Sequence, residues 1–471
     1  MNQQLAKQPL VTPLATGVAP HGTPPTEWSE TKNVRWKVEI PGKGHATPII
    51  WGDRVYIQTA IKTDREAKPK AESEEQDAKD AAPRQRRQRE GREGRRRREG
   101  REGAEGRGGP GGRRGRGGPG GGGGRGRRGG RGRSTPTHIH NFALLALDRN
   151  TGKTIWQKTL VEELPHEGGH RDASLVSSSP VTDGKHLFAY FGSRGLFCLD
   201  MDGELIWRKD FGQMTTRNGF GEGSSPVLHG DTIVVTWDHE GDSFIVALDK
   251  STGKEKWRRD RDEPTSWATP IVVEANGKAQ VVASATKFVR GYDLATGELL
   301  WKCSGMTMNA TPSPMSAGAL VYAMSGFRGN AIRAIRFAGA TGDISESASV
   351  AWKYDGKGTP YVPSGILYGD GLYFLDNNRA ILSNLSAATG KENYTKQRLD
   401  GVEGVYSSIV GAADRLYVAG RNGATAVIKC GPEFKLLATN KLDDSFSASP
   451  AIVGDALFLR GDKHLYCIAK K

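Results

Sequence analysis

The sequence predicts an all-β chain: an eight-bladed β-propeller of four-stranded antiparallel blades, in which an N-terminal strand closes the last blade. Three observations lead to this fold class. Two hairpin signatures recur along the chain, the second recurs about every 45 residues, and the last repeat ends one strand short.

The first signature is a hairpin in which one strand ends in Asp, a Thr-Gly turn follows, and the next strand carries Trp. It reads LALDRNTGKTIW, VALDKSTGKEKW and RGYDLATGELLW, with a shortened copy CLDMDGELIW. Gly suits the positive φ of the turn, Asp can bind turn amides, and the Trp ring suits packing between sheets. The predicted structural residues are Asp148, Gly152, Trp156, Asp200, Trp207, Asp249, Gly253, Trp257, Asp293, Gly297, Trp301 and, after a longer hairpin, Trp352.

The second signature is a Pro, three residues and a Gly-Asp-type turn before another strand, as in PIIWGD and PAIVGD. It predicts the inner hairpin of each blade. The eight copies begin at Pro48, Pro180, Pro226, Pro270, Pro314, Gly365, Ile409 and Pro450. The gaps between them are 132, 46, 44, 44, 51, 44 and 41 residues, and all but the first are typical of propeller blades.

The two ends of the chain predict how the ring closes. The last repeat supplies only three strands, from residue 447 to residue 469. The segment NVRWKVEI, residues 33–40, is a Trp-bearing outer strand with no hairpin before it. We therefore expect it to complete the last blade, because an open blade would leave an unpaired strand edge.

Residues 62–134 interrupt the first repeat between VYIQTAI and NFALLALD. They contain 21 of the 63 Gly and no Val, Ile, Leu, Met, Phe, Tyr or Trp, so we expect a disordered Arg/Gly-rich insertion in blade 1. A long loop adds little closure entropy, so the blade tolerates it. The expected organisation is an N-terminal extension over residues 1–32 and one propeller over residues 33–471.

The net charge of +14 lies almost entirely in this insertion. Residues 62–134 carry 24 Lys and Arg against 12 Asp and Glu, and the rest of the chain has a net charge of only +2. The polycation is the part from 81 to 134, with 19 basic and five acidic side chains. It has no aromatic side chain to stack on bases, so binding to nucleic acid, anionic lipid or acidic polysaccharide would be Coulombic and unselective.

Composition excludes other classes. With 36% hydrophobic residues and no apolar run of about 20, the chain is not a helical membrane protein. No charged region followed by an apolar stretch opens the sequence, so no signal peptide is visible. The widely spaced cysteines, which we expect to be core thiols, are Cys198, Cys303, Cys430 and Cys467.

The A-x-D-x-x-T-G-x-x-x-W pattern of the first signature resembles the repeat of PQQ-type β-propellers, and the resemblance extends from Trp28 to Cys467. Segments such as GTPYVPSGILYGDGLYFL and SASPAIVGDALFLRGDKHLYCI are similar to bacterial, planctomycete-type envelope propellers related to the outer-membrane assembly protein BamB. The resemblance implies a periplasmic or cell-envelope location and binding to a protein partner.

The resemblance also implies an enzymatic alternative, because some PQQ-repeat proteins are dehydrogenases that hold the quinone and calcium. Those enzymes carry adjacent cysteines, a Glu-Asn-Asp set for calcium and base catalysis, and a Trp platform. This sequence has no adjacent cysteines and no acidic set at matching positions. We therefore expect no catalytic residues, no metal and no cofactor, with PQQ and calcium as the alternative.

HEGGH, residues 166–170, matches the H-E-x-x-H pattern of zinc proteases, which requires a helix so that both His face one side. Pro165 and the Gly pair disfavour a helix, and no third ligand is evident. We expect a solvated loop between blades.

The loops that enter the inner strands should surround one mouth of the central channel, where propellers generally bind ligands. Three residues before each repeat start these loops carry His45, Ser177, Gly223, Trp267, Thr311, Val362, Tyr406 and Ser447. The best candidates for binding a peptide or small ligand are His45, Trp267, Asn309 and Tyr406; the alternative is that they only pack the loops.

The sequence favours a non-catalytic, monomeric binding scaffold of the bacterial envelope, which binds a protein through its propeller loops. The alternatives are a PQQ-dependent quinoprotein dehydrogenase and a protein that binds polyanions or nucleic acid through residues 81–134.

Overall fold

The computed structural model describes residues 17–66 and 136–470. Their strands form eight sheets, one per blade, with the innermost strands arranged around a central channel. The prediction of an all-β, eight-bladed propeller is confirmed. Within the described residues, helical structure is limited to two 3₁₀ turns, Gly192–Arg194 and Arg217–Gly219, and no helix has the length and apolar character needed to cross a membrane.

The first half of the ring follows the closing strand β1 (Val34–Glu39). Blade 1 contains β2 (Ile49–Trp51), β3 (Arg54–Glu66), β4 (His138–Asp148) and β5 (Thr154–Glu163). Blade 2 contains β6 (Val181–Thr182), β7 (His186–Tyr190), β8 (Leu196–Asp200) and β9 (Leu205–Lys209). Blade 3 contains β10 (Val227–His229), β11 (Thr232–Trp237), β12 (Ser243–Asp249) and β13 (Glu255–Arg261). Blade 4 contains β14 (Ile271–Ala275), β15 (Lys278–Ser284), β16 (Val289–Asp293) and β17 (Leu299–Cys303).

The second half repeats this order. Blade 5 contains β18 (Met315–Ala317), β19 (Leu320–Ser325) and β20 (Ala331–Arg336), then the short β21 (Gly342–Asp343) and the outer strand β22 (Val350–Tyr354). Blade 6 contains β23 (Ile366–Tyr368), β24 (Gly371–Leu375), β25 (Ile381–Ser386) and β26 (Glu392–Arg398). Blade 7 contains β27 (Val410–Ala412), β28 (Arg415–Ala419), β29 (Ala424–Lys429) and β30 (Leu436–Lys441). Blade 8 contains β31 (Ala451–Val453), β32 (Ala456–Arg460) and β33 (His464–Ile468).

Blade 8 is completed by β1, which pairs antiparallel with β33. Trp36 lies opposite Cys467, and Glu39 lies opposite His464. The prediction that an N-terminal strand closes the last blade is confirmed, and the two ends of the chain share one sheet.

Neighbouring blades interlock through the Gly and Trp of the first signature. Gly253 has a φ of +70°, and a Cβ added there would lie 2.8 Å from the ring of Trp207 on the preceding blade. The same approach recurs between Gly297 and Trp257 and between Gly390 and Trp352. Only Gly satisfies both the positive φ and the contact with the ring.

The Asp of the signature holds its turn through backbone amides. Asp148 Oδ1 accepts hydrogen bonds from the backbone N of Asn150 at 3.1 Å and of Thr151 at 2.8 Å, and from the Thr151 hydroxyl at 2.7 Å. Asp249 binds its own turn in the same way. These hydrogen bonds favour the ionised carboxylate and lower the pKa of both Asp residues.

The extra residues of the blade 5 hairpin reach back to blade 4. They form β21, which pairs in parallel with β17 so that Gly342 lies opposite Trp301. Ile344 N donates a hydrogen bond of 2.9 Å to the Lys302 carbonyl beside it. Blade 4 therefore has a short fifth strand that covers part of its outer edge.

The hydrophobic core lies between blades, because successive residues of a strand face opposite neighbours. In β3, Val55 and Ile57 pack towards blade 8, whereas Tyr56 packs towards blade 2. Cys198 and Cys467 are buried in such clusters, and burial raises the pKa of both thiols to about 12. The core is thus a ring of eight interfaces.

The predicted boundary of the insertion at residue 62 is wrong, because β3 continues to Glu66. Lys62 pairs with His140 across the sheet, and Thr63 Oγ1 donates to the Ile139 carbonyl at 2.9 Å. An ion pair between Arg65 and Glu162 adds a side-chain link to β5. Residues 62–66 are all polar, so this end of β3 is held by backbone pairing and not by apolar packing. The rest of the predicted disordered segment and its polycationic part lie outside the described residues.

Residues 17–32 of the predicted extension pack on blades 7 and 8. Ala19 N donates a hydrogen bond of 2.8 Å to the Gly411 carbonyl of the inner strand β27. Further along, the Trp28 ring stacks on Tyr417 with centroids 6.4 Å apart, and Trp28 N donates to Asn440 Oδ1 at 2.8 Å. This segment therefore runs from the channel to the outer edge of the ring.

Candidate functional site

The central channel is a cavity of about 880 Å³ lined by residues from all eight blades. This volume lies within the range of small-molecule sites. The eight loop positions predicted to surround its mouth all line it: His45, Ser177, Gly223, Trp267, Thr311, Val362, Tyr406 and Ser447. Three of the four candidate binding residues are among them.

A ring of hydroxyl side chains lies deeper in the channel, one residue before each repeat start. Its members are Thr47, Ser179, Ser225, Thr269, Ser313, Ser364, Ser408 and Ser449. The backbone N of seven members donates to the hydroxyl of the next blade, as in Thr47 N to Ser179 Oγ at 2.9 Å and Thr269 N to Ser313 Oγ at 3.1 Å. We call this set the hydroxyl ring.

Seven of the eight junctions in the described residues carry such a link. The exception is the junction of blades 8 and 1, where the Thr47 hydroxyl receives no hydrogen bond from Ser449 N. Sequence reasoning missed the hydroxyl ring. Its signal was present, because Ser or Thr directly precedes all eight repeat starts.

Trp267 forms part of the channel wall between blades 3 and 4. Its indole N–H donates to the Gly221 carbonyl at 2.7 Å, and its ring lies 6.3 Å from that of Phe220. The absence of a side chain at Gly223 makes room for the indole, since a Cβ there would lie 2.9 Å from it. The ring is therefore held in one orientation at the mouth.

Tyr406 lies under a guanidinium group at the opposite part of the mouth. The central carbon of Arg421 is 4.8 Å from the centre of the Tyr406 ring, a cation–π contact. Arg421 Nη1 also binds Asp172 Oδ1 at 2.8 Å. Burial opposes ionisation of Asp172, but Arg421 outweighs burial and lowers the pKa of this carboxyl.

His45 faces Asp462 at the junction of blades 8 and 1, with Nε2 3.6 Å from Oδ1. Burial lowers the pKa of His45, and Asp462 opposes this only in part. The contact with His45 is the largest of the effects that lower the pKa of Asp462. His45 is therefore neutral at pH 7 and offers the channel a neutral ring.

Asn309 does not line the channel, contrary to the prediction. Its side chain is 2% exposed, and the backbone has a φ of +55°, a conformation that Asn tolerates better than most residues. Thr311 Oγ1 donates to the Asn309 carbonyl at 3.1 Å, and the buried Oδ1 of Asn309 has no hydrogen-bond partner in the described residues. Asn309 thus supports the wall from behind.

The HEGGH segment lies in a loop between β5 and β6. His166 Nε2 is 2.8 Å from the Met214 carbonyl, whereas the His170 ring packs edge-on against Phe220, 5.6 Å away. Glu167 accepts a hydrogen bond of 2.8 Å from the Thr216 hydroxyl. Each side chain has its own protein partner, and the described residues contain no group of three potential ligands that could hold a metal.

The carboxylates of the channel do not fit the calcium and base set that a quinone cofactor needs. Asp172 is bound to Arg421. Glu222 accepts from the Ser193 backbone N at 2.8 Å and pairs with Arg194 at 3.3 Å. Asp183 likewise pairs with Lys250 at 2.7 Å, so each carboxylate that lines the channel is used by the protein itself.

The profile of a family described as outer membrane protein assembly factor BamB matches residues 141–396. The BamB of Yersinia pestis is 25% identical over 162 residues, which are 33% of this chain and 38% of the relative. The chain therefore matches well under half the length of that relative.

Two solved structures also match the chain. BamB from Moraxella catarrhalis is 14% identical, with a TM-score of 0.35, over 71% of this chain and 82% of that one. The computationally designed Ika8 protein is 12% identical, with a TM-score of 0.48, over 71% of this chain and 93% of that one.

Proposed function

The chain belongs to the family described as outer membrane protein assembly factor BamB, and on this premise we propose that it is a non-catalytic binding scaffold of the bacterial cell envelope. Its partner is a protein, bound by the loops around the channel mouth. The family description supports the assembly role and the envelope location.

The main support for the proposal is a pair of fixed aromatic rings at the channel mouth. Trp267 and Tyr406 come from loops of different blades, and both rings are held in place by backbone or charged groups of the protein. Rigid aromatic side chains contribute large contact areas at low entropic cost, which makes them typical anchors of protein interfaces. We propose that these two residues anchor the partner.

The test is capture of a partner from a detergent extract of the bacterial envelope. We expect Trp267→Ala with Tyr406→Ala to lose the proteins that the wild-type chain captures, while thermal unfolding shows a folded protein. The matched control is Trp207→Ala, since this indole also donates to a backbone carbonyl, at 3.0 Å, but lies outside the channel. Undiminished capture by the double variant would contradict the proposed anchors.

The quinoprotein alternative makes a different prediction. Titration with PQQ and calcium would give saturable one-to-one binding if the chain were a dehydrogenase. Because the lining carboxylates are already paired, we expect no heat of binding.

A second candidate function rests on the charge of residues 81–134, which carry 19 basic and five acidic side chains. We propose that this segment attracts an anionic surface, such as acidic lipid or polysaccharide, and raises the local concentration of the propeller there. Deletion of residues 81–134 should abolish retention on phosphatidylglycerol vesicles and on DNA at low salt. Unchanged retention would exclude the proposal.

A further inference from the structure

The hydroxyl ring presents hydrogen-bond donors that the protein does not use. The oxygen of seven of its hydroxyls accepts a backbone N–H from the preceding blade. No hydroxyl of the ring donates to an acceptor in the described part of the chain. Each hydroxyl is therefore available to donate a hydrogen bond to a ligand in the channel.

Aromatic side chains line the channel near its mouth. Phe220 and Trp267 lie on one part of the wall, with ring centroids 6.3 Å apart. Phe327 and Tyr361 form a second, stacked pair with centroids 4.7 Å apart, and Tyr406 lies beyond them. Flat apolar faces therefore lie above a ring of donors.

The charged groups of the lining are neutralised within the protein. Asp172 pairs with Arg421 at 2.8 Å, and Asp183 pairs with Lys250 at 2.7 Å. Burial lowers the pKa of His45, which leaves its ring neutral. A charged ligand would lose its hydration here without gaining a free counter-charge, so the channel favours an uncharged ligand.

An extended peptide fits this arrangement less well. Peptide main chains are recognised through paired N–H and C=O groups of a strand edge. In the hydroxyl ring, amides such as those of Ser179 and Ser225 are already bonded to the next blade at 2.9 and 3.0 Å. Pro180 and Pro226, which follow them, have no N–H.

We propose that the channel binds a short neutral oligosaccharide, of roughly two to four sugar rings in a site of this volume. The apolar faces of the sugars lie on Trp267 and Tyr361, and their oxygens accept hydrogen bonds from the hydroxyl ring. This binding shares Trp267 with the proposed partner site, but it needs no protein partner and it alone uses the hydroxyl ring, so Thr47→Val tests it separately from the scaffold function.

Substitution of Thr47 tests the donor role without breaking a link between blades. Its hydroxyl receives no hydrogen bond from the neighbouring blade, so Thr47→Val removes one donor and leaves the seven amide–hydroxyl links in place. Loss of one neutral hydrogen bond should weaken saccharide binding by about two- to tenfold. Trp267→Ala removes a stacking face and should weaken binding more than about tenfold.

The experiment is calorimetric titration of the full chain with maltotriose, cellotriose and chitotriose, alongside trigalacturonic acid and N-acetyl-tetraalanine amide. We expect one neutral trisaccharide to bind at one site per chain, with both variants weakened and Trp207→Ala unchanged. Circular dichroism checks that each variant is folded. If Trp267→Ala does not fold, the affinity of Thr47→Val alone tests the proposal.

Three results would overturn the proposal. The first is no saturable binding of any neutral trisaccharide. The second is binding that neither Thr47→Val nor a folded Trp267→Ala variant weakens. The third is tighter binding of trigalacturonic acid or of the peptide, which would assign the channel to acidic sugars or to peptides.

Discussion

Arg421 of blade 7 binds Asp172, which belongs to the loop between blades 1 and 2, with Nη1 and Oδ1 2.8 Å apart. One ion pair thus joins loops of blades that are not neighbours in the ring. Because the loop of residues 164–180 contains Asp172 and also lines the channel, this pair fixes the shape of the mouth.

Asp172→Asn should loosen this loop. The pair is partly exposed, so we expect a stability loss of about 1 kcal/mol or less, but a several-fold faster hydrogen exchange in residues 164–180. Exchange measured by mass spectrometry checks this. Asp202→Asn, which removes an exposed partner of Arg54, serves as the control and should leave the loop unchanged.

The same ion pair predicts a pH dependence. Arg421 lowers the pKa of Asp172, so the pair stabilises the folded chain above the carboxyl's ordinary pKa of about 3.9 and is lost as the pH falls below it. Exchange in residues 164–180, corrected for intrinsic rates, should therefore be constant between about pH 5 and 8 and rise in acid. A rise that Asp172→Asn also shows would come from another group.

Asp238→Ala should destabilise the protein strongly. Arg261 binds Asp238 through two hydrogen bonds, Nε to Oδ1 at 2.7 Å and Nη2 to Oδ2 at 3.0 Å, and both side chains are buried. Removing the carboxylate leaves a buried guanidinium, at a cost of about 3–5 kcal/mol. Urea unfolding measures it, and Glu346→Ala, which breaks an exposed pair with Lys353, should cost less than about 1 kcal/mol.

Arg460→Met should have the opposite effect. The Arg460 side chain is buried, none of its guanidinium nitrogens has a hydrogen-bond partner in the described residues, and burial lowers its pKa to about 10. The group is still charged at neutral pH, so its desolvation is poorly compensated. We expect Arg460→Met to raise stability by about 1 kcal/mol or more, whereas Arg261→Met, which strands Asp238, lowers it. Equal losses from both would contradict this reading of Arg460.

Gly253→Ala and Gly230→Ala should separate backbone strain from contact between blades. Both residues have positive φ, +70° and +57°, but an added Cβ meets the Trp207 ring at 2.8 Å only at Gly253. At Gly230 nothing lies within 4 Å. We expect a loss of about 1 kcal/mol for Gly230→Ala and at least about 1 kcal/mol more for Gly253→Ala, measured by urea unfolding.

The fold was predictable because its determinants repeat. Trp207 and Gly253 belong to neighbouring copies of the first signature. The repetition of that signature predicts blades without any knowledge of the contact between these two residues. The position three residues before each repeat start was equally readable, and it led to Trp267 and Tyr406. Asn309 lies outside that register, and only the folded structure shows that it is buried and absent from the channel lining.

Other features have no repeated signal. The Asp172–Arg421 pair joins two loops that differ from their counterparts in the remaining blades, so no spacing in the sequence announces it. The extension of β3 to Glu66 was missed for a related reason. Its side chains are polar, and its pairing with β4 uses backbone groups that every sequence possesses.

The pairing of β1 with β33 has a consequence for synthesis of the chain. Residue 34 is synthesised before all of the inner hairpins, but its strand partner in β33, which begins at His464, is synthesised after them. Seven blades can fold as they emerge, whereas the eighth must wait until β33 has been synthesised. Until then β1 has an exposed, unpaired edge, so the nascent chain is open to aggregation and to chaperones at this one strand.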